Sequence, residues 1–310
     1  MPLARSSAHA AFAAASRSTL ADLSTGGQFD LFLVARATDR WWTPLTAVRA
    51  TDALPVHLGT HFPVETTACH RLLVDRRPVV SRDLHRHGDP QVRVSSRAHH
   101  VAGYAGAAIR RPDGRLLGTL CAFSASRFEG DVDPIAARLH EGADRLARDL
   151  GTALDVVADE RRASYDHALR SSDAATRLPD RRGWGLMLRD EGERSRDLAQ
   201  DAAVVLVDTG LVRTTRGVRR AADVVRDVVG DLPVSRVNGR QFGLLLAGDD
   251  DLDPGTTAGD VQDALRTAGY SATSGWAARE PAGGMADTWL RAEDALIGVR
   301  SQPGRSRLGA

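Results

Sequence analysis

The chain has 310 residues, room for about two domains, and its 42% hydrophobic and 26% charged content is that of an ordinary globular protein. A formal net charge of +1 supplies no general field to recruit nucleic acid or a membrane surface, and no apolar run approaches the ~18 residues of a membrane span. All 41 basic residues are arginine, which excludes a P-loop lysine, a Schiff-base lysine and a kinase-type ATP lysine.

In chain order, residues 1–19 are Ala-rich, without an apolar core joined to a cleavage site, and predict a lead-in helix of a cytoplasmic protein. Residues 29–39 and 43–52 read as paired strands across Trp41-Trp42. The stretch 64–78 predicts a helix, with Thr66 and Thr67 as caps and Ala68, Leu72 and Val74 on its apolar side. A short strand at 78–84 follows, then a hairpin at 104–124 turning at Arg111-Pro112-Asp113-Gly114. From Pro134 to about Ser172 the pattern is helical: Ile135, Leu139, Ala143, Leu146, Leu150, Leu154 and Val157 recur every three or four residues on one stripe. Such a stripe either dimerises in parallel, as coiled-coil seams do, or packs on its own domain. The second half then alternates: a core strand at 202–208, a helix at 217–231, a hairpin, a capped helix at 253–269, a strand at 270–278 and a helix at 286–302. The hairpin predicts a tight turn at Asn238-Gly239, residues that tolerate positive φ.

The chemistry-bearing residues are sparse. Cys69 and Cys121 make neither a disulfide framework nor a four-thiolate zinc site, and read as small buried hydrophobes. His85, His87, His99 and His100 sit in apparent loops and are assigned to solvent; no metal and no cofactor is expected. No Ser-His-Asp or Cys-His arrangement carries a local signature such as a nucleophile elbow.

The second half resembles the GGDEF (diguanylate cyclase) domain. The carriers are "DAATRLPDRR" (173–182), "TSGWA" (273–277) and "RAEDALIGVRSQPGRSR" (291–307), in the family's order. The family's signature hairpin aligns with Asn238, Gly239, Arg240, Gln241 and Phe242. In active members, carboxylates on that hairpin and on the first core strand hold two Mg²⁺ ions, and a 3′-hydroxyl attacks an α-phosphate across a dimer of GTP-bound domains. By this resemblance Arg240 and Gln241 replace the hairpin acids, Asp208 is retained, Gly210 replaces a second strand carboxylate, and Arg216 and Gly217 replace guanine contacts. The segment between Asp208 and Asn238 is also shorter than the family's, and the product-inhibition motif, expected near Val229 and Leu232, is missing. A guanidinium about 4 Å from a divalent cation is repelled by roughly 8 kcal/mol at an effective dielectric near 20. Arg240 and Gln241 are accordingly read as solvated tip residues.

The first half resembles the GAF domain, a sensing module related in architecture to PAS. The carriers are "FPVETTACHRLLVDRRPVVSRDL" (62–84) and the 104–124 hairpin. The resemblance implies a small-molecule pocket between the central sheet and the 64–84 segment, with Cys69, Tyr104 and Cys121 near its wall.

The expected architecture is α/β (α+β) in two domains. One is a PAS/GAF-like sheet with flanking helices at 20–158; the other, at 173–310, is a GGDEF-like sheet of the ferredoxin-like palm type, with a linker helix at 159–172 between them. The expected function is a bacterial signalling protein: a GAF sensor coupled to a catalytically inactive GGDEF domain, homodimeric through the connector helix and acting on a protein partner. The alternative is residual diguanylate cyclase activity or binding of GTP or cyclic di-GMP.

Overall fold

The computed structural model describes residues 7–25, 28–74, 78–129, 131–248, 253–280 and 282–301. Predictions touching 1–6 or 302–310 lie outside the described residues, as does the 75–77 part of the 64–78 segment. The chain divides into two units, with the boundary between Val157 and Ala158 and with 197–199 grouped with the first.

The first unit opens with α1 (Ser7–Ser24) and builds an antiparallel sheet from β1 (Leu31–Ala37), β2 (Trp41–Arg49), β3 (Phe62–Pro63), β4 (Val79–Ser81), β5 (Gly103–Arg110) and β6 (Leu116–Ser124). Its strand order is β3-β2-β1-β6-β5-β4. β1 has no polar face because both of its faces are covered. Phe32 and Val34 pack on one side with Ala105, Ala107 and Leu120, whereas Leu31, Leu33 and Ala35 pack on the other with Tyr104 and Cys121. The β5–β6 turn forms where Pro112 and Gly114 predict it, Gly114 taking φ +88°.

The helical stripe materialises as α4 (Asp133–Ala168), 36 residues long. Its apolar side is buried within the chain itself. Leu139, Leu146, Leu150, Leu154 and Val157 are each at most 3% exposed within the single chain, packed in one core with Phe12, Leu20, Val34, Ile109 and Leu120. The sheet face needs a cover, and this stripe supplies it together with α1.

Two further readings change. The 64–78 segment is not one helix: it folds as 3-10 turns at Val64–Thr66 and Ala68–His70 followed by α2 (Arg71–Val74). Thr67 interrupts it with extended backbone (φ −102°, ψ 151°), and its hydroxyl donates back to the Val64 carbonyl, so it ends a turn and caps nothing. A helix unforeseen in the sequence, α3 (Pro90–Ala98), follows, capped by the Asp89 carboxylate accepting from the Gln91 amide.

The second unit carries α5 (Arg181–Asp197), β7 (Ala202–Asp208), α6 (Thr215–Val229), β8 (Val234–Arg236), β9 (Gln241–Ala247), α7 (Pro254–Thr267), β10 (Thr273–Ala278) and α8 (Met285–Ser301). From β7 to β10 the order is βαββαβ, and the antiparallel sheet runs β10-β7-β9-β8. This is the ferredoxin-like arrangement. Alternation along β7 sends Ala203, Val205 and Val207 into one core with α6 and α7, and Val204 and Leu206 into another with α5 and α8. The glycine of "TSGWA" has a packing reason: a Cβ on Gly275 would lie 2.3 Å from the Leu296 amide nitrogen, so β10 and α8 meet backbone to backbone there.

Candidate functional site

A cavity of about 430 Å³ opens in the first unit on the sheet face away from α4. Strand residues Leu31, Leu33, Trp42 and Phe123 form part of its wall, with Leu54, Leu84 and Val92 from the connecting segments. Among the described residues its lining carries no aspartate, glutamate or arginine; the polar groups include hydroxyls, His57, His99 and one thiol. Pro55, His57, Thr60 and His99 are exposed and make the rim. His99, assigned to solvent from the sequence, belongs to this rim, its ring edge-on to Phe62 at 5.5 Å. The α3 contribution was unforeseen, although Asp89-Pro90 is a helix-start signal.

Of the three residues expected near the wall, Cys69 lines the cavity, while Tyr104 and Cys121 lie directly behind it. The two sulfurs are 3.3 Å apart. The Tyr104 hydroxyl donates to Cys69 Sγ at 3.4 Å and lies 3.7 Å from Cys121 Sγ. Cys121 donates to Thr119 Oγ1 at 3.3 Å, and that oxygen also accepts from Trp42 Nε1 at 2.9 Å. Both cysteines are free and buried. Burial pushes the Cys69 thiol and the Tyr104 phenol well up, with the neighbouring sulfurs adding to it. Burial acts on Cys121 in the same direction, but hydrogen bonds with Cys69, Thr119 and Tyr104 outweigh it and bring that thiol below its ordinary value. Among the described residues no three His, Cys, Asp or Glu side chains converge as a metal would require.

In the second unit the ladder register brings the signature hairpin to the end of β7, pairing Asp208 with Gln241. The turn is wider than the two-residue form. Neither Asn238 nor Gly239 has positive φ; instead Asn238 Oδ1 accepts from the Arg240 and Gln241 amides at 2.9 and 3.0 Å, an Asx turn that closes the tip from its own side chain. Arg240 and Gln241 are not both solvated. Gln241 is buried at the start of β9 and takes a hydrogen bond from Asn238 Nδ2, and Phe242 is buried in the core beyond it. Arg240 is half exposed and turns back, its Nε 3.5 Å from Asp208 Oδ2. The Arg240 carbonyl accepts from both the amide and the hydroxyl of Thr209, and Asp208 Oδ1 accepts from the Gly210 amide at 2.7 Å, with Gly210 at φ +73°.

The "DAATRLPDRR" segment holds the fold together. Asp173 accepts from Arg236 at 2.8 and 2.9 Å and from the Thr176 amide and hydroxyl, and Asp180 caps α5. Burial opposes ionisation of Asp173, but these bonds hold its carboxyl below the ordinary range.

No curated protein matches the chain. Solved structures similar to it include the diguanylate cyclase SiaD in complex with its activator SiaC from Pseudomonas aeruginosa (22% identity, 54% of this chain and 73% of that one, TM-score 0.39). The GGDEF domain of DgcB from Caulobacter crescentus, in complex with c-di-GMP, is similar at 18% identity (44% and 93%, TM-score 0.38). The chromophore-binding domain of the bacteriophytochrome RpBphP3 from R. palustris is similar at 16% identity (48% and 58%, TM-score 0.41). Residues 12–154 match the family model of the GAF domain.

Proposed function

We propose that this chain is a signalling protein whose GAF half binds an uncharged, mainly apolar small molecule and whose GGDEF-like half works through contact rather than cyclase chemistry. The observation that carries the second part is the Arg240 guanidinium on Asp208. The resemblance to the GGDEF domain implies Mg²⁺ at this position, and a hard dication requires several anionic oxygens. The donors present do not fit it: one carboxylate, already facing a cation and an amide, and a Gln241 oxygen engaged by Asn238. The first part rests on the cavity lining, which among the described residues offers apolar surface, hydroxyls and two rim histidines but no arginine for a phosphate.

The test is incubation of the wild type and an Arg240→Asp, Gln241→Glu variant with GTP and Mg²⁺ or Mn²⁺, with mass spectrometry of the products. Neither is expected to make cyclic di-GMP, because restored acids bring back neither the second strand carboxylate at Gly210 nor the base contacts at Arg216 and Gly217. Groups that act as a unit are not recovered singly. Product from the wild type overturns the reading. Product from the variant alone means that the nucleotide pocket is otherwise complete.

A further inference from the structure

We propose that Cys69 and Cys121 are a redox couple that a hydroperoxide entering the cavity converts to an intramolecular disulfide. Three observations carry this. The sulfurs already touch at 3.3 Å, although 52 residues separate them, which leaves about 1.3 Å to close to the ~2.05 Å of a disulfide. One of the pair, Cys69, lines a cavity whose rim is exposed, so a small oxidant reaches a sulfur that is otherwise buried. The third is the asymmetry of the surroundings: Cys121 stands behind the wall, where contacts from Cys69, Thr119 and Tyr104 converge on it.

The chemistry balances within the pair. Cys69 loses its proton to solvent in the cavity, and the resulting Cys69 thiolate attacks one peroxide oxygen. The O–O bond breaks, Cys69 becomes a sulfenic acid, and the alkoxide leaves as alcohol after taking a proton from solvent. Cys121 then attacks the Cys69 sulfur, the S–O bond breaks, and hydroxide leaves as water with the Cys121 proton. The two thiols lose two electrons and the peroxide gains them. The Tyr104 hydroxyl, 3.4 Å from Cys69 Sγ, is placed to donate to the thiolate and to the departing oxygen. Because Cys69 titrates high, the thiolate fraction is small and the reaction is slow compared with that of an exposed acidic thiol.

This goes beyond the proposed sensor role and is tested without GTP or any cavity ligand, so the two ideas fail separately. The reduced full-length protein is treated with hydrogen peroxide, denatured in an alkylating reagent and mapped without reduction. The expected result is a fall in alkylatable thiol from two per chain to none, a peptide linking Cys69 to Cys121, and recovery with dithiothreitol. Cys121→Ser should stop at a Cys69 sulfenic acid that dimedone traps, whereas Cys69→Ser should leave Cys121 unmodified. Wild type that keeps two alkylatable thiols while folded overturns the proposal, as does oxidation of Cys69 with no link to Cys121.

Discussion

Glu191 on α5 has a side chain with no exposed surface, yet it is charged. Arg161 donates from Nε and Nη2 to its two oxygens at 2.9 and 2.8 Å, Arg194 from Nε at 3.2 Å, and Ser195 Oγ at 2.7 Å. Arg161 also donates to Gln200 at 2.7 Å. Replacing Glu191 with Ala strands two guanidiniums that are only 15% and 11% exposed. Removing one partner of a buried ion pair costs about 3–5 kcal/mol. The Gln200 bond and the residual exposure of both arginines place this case near the lower end, about 3 kcal/mol, or roughly 150-fold in the folding equilibrium. For a unit of this size that is a fall of about 6–12 °C in melting temperature. Calorimetry with hydrogen exchange on the 181–197 peptide assigns the loss to the second unit. Burial opposes ionisation of Glu191, but Arg161, then Arg194 and Ser195, outweigh it and hold its carboxyl low. A depressed carboxyl stabilises fully above its unfolded value of about 4.3, and that contribution disappears as pH falls through the folded pKa. Glu191→Gln should therefore flatten the acid limb of the stability curve. A loss below about 1 kcal/mol, the size of a surface pair, would refute this account of Glu191.

Two other substitutions test the packing. Gly275→Ala would push a methyl against the Leu296 backbone and should destabilise the second unit by about 3 kcal/mol, visible in urea titration; an unchanged midpoint would deny the close approach. Leu150→Ala should cost about 3 kcal/mol in the first unit by opening a cavity in its core. Glu at both Leu150 and Leu154 should unfold that unit, seen as lost circular dichroism; a folded protein of halved mass in sedimentation would instead restore the stripe as a dimer seam.

The sequence was most legible where short-range chemistry decides the structure. Asp253-Pro254 starts α7, Pro112 and Gly114 turn the β5–β6 hairpin, and seven stripe residues mark α4. What α4 packs against was not legible, because an apolar stripe has the same period whether a sheet or a second helix covers it. α3 escaped because Val92 and Ser96 are its buried residues, too few for a visible period. At the sites, the register of β7 on β9 decides that the half-exposed Arg240 reaches Asp208. The thiol contact is equally non-local, made by a 3-10 turn folding over β6.

The strand orders have a bearing on how the protein avoids its own copies. A sheet ends in unpaired backbone donors and acceptors, which accept any extended segment long enough to run beside them. Three of the four edges here, β3, β4 and β8, are two or three residues long and give such a segment almost nothing to align on. The fourth, β10, has six residues, with Trp276 43% exposed in its middle. Aggregation by strand addition is thus disfavoured at three edges and falls by length to β10, where the indole of Trp276 would report it through its emission.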